Sequence, residues 1–184
     1  MTFKAELRSL KLKLLDNPNL FTLDKSKIKK FRTKLSFIKN NFPNDIITGS
    51  LALNLFGLIN REIHDIDILI ENAERIGLYW SSKYYFDELF PNRLGYKRFE
   101  FTRYIFWKSS YLVDLFKISG EENTLQLEFD RHIFKIHNPL EIIAKKIQII
   151  DALENRRITV QTTYDRKCED DLCQVFKTID RNHI

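Results

Sequence analysis

Asp65 and Asp67 stand two residues apart in the stretch HDIDILIE, where Ile66, Ile68 and Ile70 alternate with Asp65, Asp67 and Leu69. Such alternation reads as a strand, and a period of two sends both carboxylates to the same face. Mg²⁺ takes hard oxygen ligands and keeps several waters, so two or three aspartates facing one cleft are enough to hold it. A third acid from a neighbouring strand would complete the cluster. Asp114, flanked by Val113 and Leu115, is the first choice, and Glu100 in RFEFT has the same apolar flanks and stays open as the alternative. Phosphoryl transfer fits such a cluster, because it asks a protein for positioning and charge neutralisation with little covalent work. Two divalent ions roughly 3.5–4 Å apart serve the attacking and leaving oxygens.

The same chemistry needs donors for phosphate. The short apolar run from Asp45 to Thr48 ends in Gly49–Ser50, and an amphipathic segment from Leu51 to Leu58 follows. That order reads as strand, glycine turn and helix. Backbone N–H groups and the Ser50 hydroxyl then point toward an anion, and the missing side chain at Gly49 lets phosphate approach. The plain alternative for Ser50 is an N-cap without a catalytic part.

The elements around these residues follow from periodicity and breakers. Residues 4 to 15 and about 25 to 40 read as helices, the second with Ile28, Phe31, Leu35 and Ile38 on one face and Lys or Arg on the other. Its lysines read as a solvated face more readily than as a phosphate surface. Residues 73 to 90 read as mostly helical, ending at Pro91. The aromatic and β-branched stretch 94 to 118 reads as two or three strands with a turn at Ser109–Ser110. Tyr96 to Trp107 is better explained as β-core than as a base-stacking platform.

A strand at 132 to 136 leads into a marked helix start, with Asn138 as N-cap, Pro139 at the first helical position and Glu141 three residues after the cap. That helix runs to about Leu153, and a last one spans about 164 to 179. The expected fold class is α+β, a mixed sheet with flanking helices. It divides into N-terminal helices (1–42), an α/β core (43–137) and a C-terminal helical region (138–184).

At TGSLALNLFGLINREIHDIDILI a resemblance becomes specific. The stretch resembles the signature of the DNA polymerase β-like nucleotidyltransferase superfamily. There a Gly-Gly or Gly-Ser turn opens a helix, and a polar turn carrying an arginine precedes Asp-x-Asp on a strand. Arg61 occupies the arginine position, and VDLF around Asp114 is similar to the third-acid strand. The segments NPLEIIAKKIQIIDALENRR and RKCEDDLCQVF are similar to the helical tail of a small bacterial and phage branch related to abortive-infection toxins. That tail has a lysine on its first helix and Lys-x-x-x-Asp on the next, positions matched by Lys146 and by Lys167 with Asp171. The tail's usual Lys-Asp pair is Lys167–Cys168 here, with acids at Glu169, Asp170 and Asp171. The resemblance covers about residues 45 to 180, and the first 40 residues match no pattern of the family.

The resemblance implies a polymerase β-like nucleotidyltransferase fold. Asp65, Asp67 and Asp114 would be both metal ligands and catalytic acids for Mg²⁺, with Mn²⁺ as a substitute. Gly49, Ser50, Arg61 and Lys146 would be the nucleotide-binding residues. From the residues alone, Lys146 lies in an apolar helical stripe and either reaches a triphosphate or snorkels to solvent. Arg61 either binds phosphate or pairs with Glu62 or Asp65. His64 reads as a neighbour of the acids, since Mg²⁺ disfavours imidazole. His132, His137 and His183 have no partners at metal-ligand spacing.

With 184 residues, 43% hydrophobic and 30% charged, the chain has apolar surface enough for a core and is not composed like a disordered one. Cys168 and Cys173, five apart, make neither a disulfide framework nor a zinc site. No signal-peptide core and no stretch of bilayer-spanning length are present, which sets the expectation of a cytoplasmic protein away from membranes. A formal net charge of +5 and a pI near 9.1 favour anionic partners.

The expected reaction moves a nucleoside monophosphate from an NTP such as ATP to a hydroxyl. The acceptor is RNA (a tRNA end in particular), a protein side chain or a small molecule, and a toxin-like role would add an antitoxin partner. The alternative from another class is a non-catalytic nucleic-acid- or protein-binding module on the same fold. A metal-dependent nuclease would have no use for the Gly49–Ser50 turn.

Overall fold

Asp24 opens the first of two short helices that the sequence reads as one. In the computed structural model, which describes residues 3–17, 20–70, 85–86, 103–108, 111–117, 121–155 and 163–181, helix α1 spans Phe3–Asp16. The Asp24 carboxylate accepts hydrogen bonds from the amides of Ser26 (2.8 Å) and Lys27 (3.3 Å) and so caps α2, Lys25–Lys30. The chain turns at Phe31, buried in the core, and continues as α3, Arg32–Asn41. Ile28, Phe31, Leu35 and Ile38 keep one apolar stripe through the break, so periodicity alone does not reveal it.

Strand β1, Ile46–Ile47, runs into α4, Gly49–Leu55. This helix starts earlier and ends sooner than the pattern of apolar residues suggests. It closes at Gly57, whose φ of 67° is open to glycine; the Leu58 amide bonds the Leu53 carbonyl at 3.0 Å and the Gly57 amide that of Asn54 at 2.8 Å. Strand β2, Asp65–Ile70, follows the polar turn. Next come β3 (Tyr85–Phe86), β4 (Arg103–Lys108) and β5 (Tyr111–Lys117). The expected helix over 73–90 therefore contains a strand at Tyr85–Phe86, paired antiparallel with β4, and the rest of that stretch is outside the described residues. The turn expected at Ser109–Ser110 is outside them as well.

Strands β6, Thr124–Phe129, and β7, His132–His137, form a hairpin. The first of them has no counterpart in the sequence reading. Two helices complete the chain, α5 (Pro139–Asn155) and α6 (Thr163–Arg181). As expected from the helix-start signals, the Asn138 side chain accepts from the Leu140 amide at 2.9 Å.

Among the described residues the sheet has seven strands in the order β3-β4-β5-β2-β1-β7-β6. It is mixed: β2–β5 and β1–β7 are parallel pairs, and the others are antiparallel. The molecule is α+β, as its element order suggests. One apolar cluster ties Leu10 of α1, Leu35 and Ile38 of α3, Ile66 and Ile68 of β2, Ile143 of α5 and Val175 of α6 together. Among the described residues no helix is long and apolar enough to cross a membrane.

Candidate active site

The three acids expected to act together are brought together by strand pairing. In the parallel β2–β5 ladder Asp67 faces Asp114, and Asp65 faces Leu112. Residues paired across a ladder point to one face, and Asp65 lies one side-chain period from Asp67, so all three carboxylates share that face. One ligand oxygen from each lies within 4.8 Å of the others. Asp114 is 3% exposed, while Asp65 and Asp67 are half-buried. Glu100, the alternative third acid, is outside the described residues. Three carboxylates at this spacing repel one another in the absence of a cation, and hard oxygens in this number suit Mg²⁺ or Mn²⁺.

Gly49 explains why the turn before α4 is glycine. Its φ is 64°, a region that side-chain-bearing residues rarely adopt. A Cβ here would overlap the Asp67 carboxylate and lie 2.7 Å from Asp67 Cγ and 2.9 Å from its Cβ. The turn is thus pressed directly against one of the acids. From the other side, the Thr48 amide donates to the Asp67 carbonyl at 3.0 Å.

Ser50, Arg61 and Lys146 converge on one buried carboxylate, that of Asp171 on α6. The Ser50 hydroxyl donates to Asp171 Oδ2 at 3.0 Å, and Arg61 Nε donates to Oδ1 at 2.7 Å. Lys146 Nζ on α5 donates to Oδ2 at 3.0 Å and lies 3.9 Å from Cys168 Sγ. Arg61 Nη2 donates in turn to the Ser50 hydroxyl, and Nη1 donates to the Glu62 carbonyl at 3.1 Å. The Arg61 backbone is held by buried Asn54, whose side-chain amide donates to its carbonyl at 3.3 Å. Arg61 therefore pairs neither with the Glu62 carboxylate nor with Asp65 as its first partner. Lys146 does not snorkel; its side chain is 12% exposed and points to the acid.

The charges of this cluster hold one another. Burial opposes the ionised form of Asp171, but the hydrogen bond from Arg61 and the nearby Lys146 outweigh it and keep the carboxyl below its usual range. Burial likewise works against Lys146, and Cys168 and Asp171, with Asp67 adding a smaller part, raise its ammonium above the ordinary value. Arg61 behaves the same way: burial is overcome by Asp171, with Asp65 and Asp67 contributing. Two cations on one anion leave a formal excess of one positive charge, electrostatically linked to the three acids. The Asp171 cluster and the three acids are thus electrostatically linked.

Asp171 is the residue the sequence reading undervalued. It is the acid of the Lys-x-x-x-Asp pattern, and it is the carboxylate that takes Ser50, Arg61 and Lys146. Lys34 on α3 lies on the helix face that the sequence reads as solvated. It is half-buried, with Nζ 4.8 Å from the centre of the Tyr111 ring, and burial pushes its ammonium down against the pull of Asp65 and Glu62. Of the histidines, His64 is exposed, with Nε2 3.9 Å from Glu62 Oε2, and His132 Nε2 lies 3.0 Å from the Pro43 carbonyl oxygen. His183 is outside the described residues. His137 is fully buried and placed between Thr48 and Glu122.

Compared with protein-family models, curated proteins and solved structures, the chain matches none.

Proposed function

We propose that the protein is a metal-dependent nucleotidyltransferase with a polymerase β-like core, moving a nucleoside monophosphate from an NTP to a hydroxyl acceptor. The acceptor oxygen forms a bond to the α-phosphorus, the bond to the bridging oxygen breaks, and pyrophosphate leaves. The observation that supports this reading is the convergence of Asp65, Asp67 and Asp114 within 4.8 Å beside the Gly49–Ser50 turn. Divalent ions held by the three carboxylates would neutralise charge on the phosphates and activate the acceptor hydroxyl.

The chain's own residues do the rest. Asp114, buried between apolar neighbours, receives the proton of the acceptor hydroxyl. Gly49 gives the phosphates close access, and Ser50 offers its hydroxyl beside them. Arg61 and Lys146 supply the positive excess that draws in a polyanion, while Asp171 keeps both in place when no nucleotide is bound. With its basic balance, the protein favours RNA, such as a tRNA end, over a protein or small-molecule acceptor. A toxin-like role with an antitoxin partner fits the same chemistry.

A second reading has an observation of its own. Ser50, Arg61 and Lys146 are all committed to Asp171, which suits a binding module that keeps the fold and has lost turnover. Incubation with each α-³²P-labelled NTP and Mg²⁺ or Mn²⁺, beside total RNA or lysate, separates the two. Transfer of label by the wild type and none by the Asp65→Ala/Asp67→Ala protein is the expected result. No transfer from any NTP, with the protein folded, would overturn the catalytic reading.

A further inference from the structure

Thr48 holds the N-cap position of α4 without capping it. An N-cap threonine ordinarily accepts a hydrogen bond from an amide of the first helical turn, and Thr48 makes no such bond. Its hydroxyl is turned the other way, with Oγ1 2.9 Å from Nδ1 of His137, the last residue of β7. On the far side of the ring, His137 Nε2 lies 2.9 Å from Glu122 Oε2. Lys145 Nζ holds that carboxylate through contacts of 3.2 and 3.3 Å. The four side chains form a line from the surface to the interior.

The chemistry of the line fixes its direction. The Glu122 carboxylate 2.9 Å from Nε2 favours the proton on that nitrogen, although no well-aligned hydrogen bond joins them, and with the proton there Nδ1 is an acceptor in the neutral ring. In that tautomer the Thr48 hydroxyl donates to Nδ1. Thr48 is 7% exposed and His137 is fully buried, so water does not compete freely for this bond. Thr48 is also the residue whose amide donates to the Asp67 carbonyl, and the next residue, Gly49, is packed under the Asp67 carboxylate.

We propose that His137, oriented by Glu122, is a positioning residue for Asp67, acting through Thr48. The contacts described for its ring are to Thr48 and Glu122. It pins the residue that extends the β1–β2 pairing to the Asp67 carbonyl and delivers Gly49 to the acid, so the geometry of the metal-binding cluster depends on it. This inference rests on the reading of Asp67 as a metal ligand.

The test uses Thr48→Val, which removes the hydroxyl and keeps the shape, and Thr48→Ser, which restores it. Mn²⁺ affinity, thermal unfolding and hydrogen exchange of the Thr48 amide are measured on the full chain. Thr48→Val is expected to bind Mn²⁺ about tenfold more weakly, as happens when groups supporting a ligand are removed, with faster exchange of the Thr48 amide. Thr48→Ser should recover both. His137→Gln should weaken binding to a similar degree, and the double variant His137→Gln/Thr48→Val should lose no more than the worse single. Undiminished Mn²⁺ binding by Thr48→Val, or a Thr48→Ser protein as weak as Thr48→Val, would overturn the positioning role while leaving the metal site standing. Absence of Mn²⁺ binding by the wild type would overturn the metal reading, and the positioning role with it.

Discussion

Arg61 and Asp171 meet at 2.7 Å across 110 positions of sequence, on a carboxylate that solvent does not reach. The same carboxylate takes Lys146 and Ser50. Helices α5 and α6 are therefore fastened to the turn between β1 and α4 and to the loop before β2 by one acid. The tail is part of the site and not an appendix to it.

Asp171→Asn should be strongly destabilising, by about 3–5 kcal/mol in denaturant unfolding, because a neutral amide leaves two buried cations without their counter-charge. Asp171→Asn combined with Lys146→Met should recover part of that loss. A small change for the single variant would mean that water reaches the cluster.

The acid triad gives the opposite sign. Asp67→Asn or Asp114→Asn removes like-charge repulsion among groups within 4.8 Å of one another, so the metal-free protein should be as stable as the wild type or more so. The same variants should lose the upward shift in Tm that Mg²⁺ or Mn²⁺ is expected to produce in the wild type, together with at least a hundredfold of any transfer activity. Thermal unfolding with and without metal checks both halves.

Gly49→Ala places a side chain where φ is 64° and where Asp67 already fills the space. The backbone penalty alone is about 1–2 kcal/mol, and Asp67 must move as well. Metal-dependent stabilisation is expected to vanish in this variant while the protein still folds, as thermal unfolding with and without Mn²⁺ would report.

Acid sensitivity should trace to His137. Burial, with Lys145 adding and Glu122 opposing, lowers its imidazole from 6.5 to about 4. The unfolded chain then takes up a proton at a pH where the native state does not. The contribution of His137 is present above pH 6.5 and is lost as pH falls toward 4, up to about 3 kcal/mol. Asp171, held below its ordinary value of 3.8, contributes above that value and is lost only as pH falls through its lower native value. His137→Gln should flatten stability against pH between 6.5 and 4, and NMR titration of the wild type should find the ring neutral at pH 5.

Much of the site could be read from the sequence because it is local. Asp65, Asp67 and Gly49–Ser50 lie within 19 residues, and their alternation and turn chemistry carry their orientation. Asp114 could be picked out by its apolar flanks, though only strand pairing sets it against Asp67. Asp171 could be picked out by pattern but not its central role, and His137 not at all, because burial and partners such as Ser50, 121 positions away, and Thr48, 89 away, give them their roles. Strand β6 went unseen for a local reason. The hairpin turns at Asp130–Arg131, both with positive φ (51° and 57°), the backbone of a type I′ turn without the Asn-Gly or Asp-Gly that signals one.

That turn yields a further expectation. Arg131→Gly relieves an unfavourable left-handed residue and should stabilise the protein by about 0.5–1 kcal/mol in denaturant unfolding. Asp130 is better left alone, since its carboxylate and carbonyl hold Lys39 at 2.9 and 2.8 Å.

The parallel pairs have a kinetic meaning. Ile46 meets Lys135 across 89 positions, and Asp67 meets Asp114 across 47. Long loops must close before either ladder forms, which makes such pairings slow relative to helices and hairpins. The β6–β7 hairpin and the helices can form early, whereas the three carboxylates become neighbours only when the centre of the sheet zips together. A chain emerging from synthesis would thus gather its three carboxylates late, as a feature of the finished sheet.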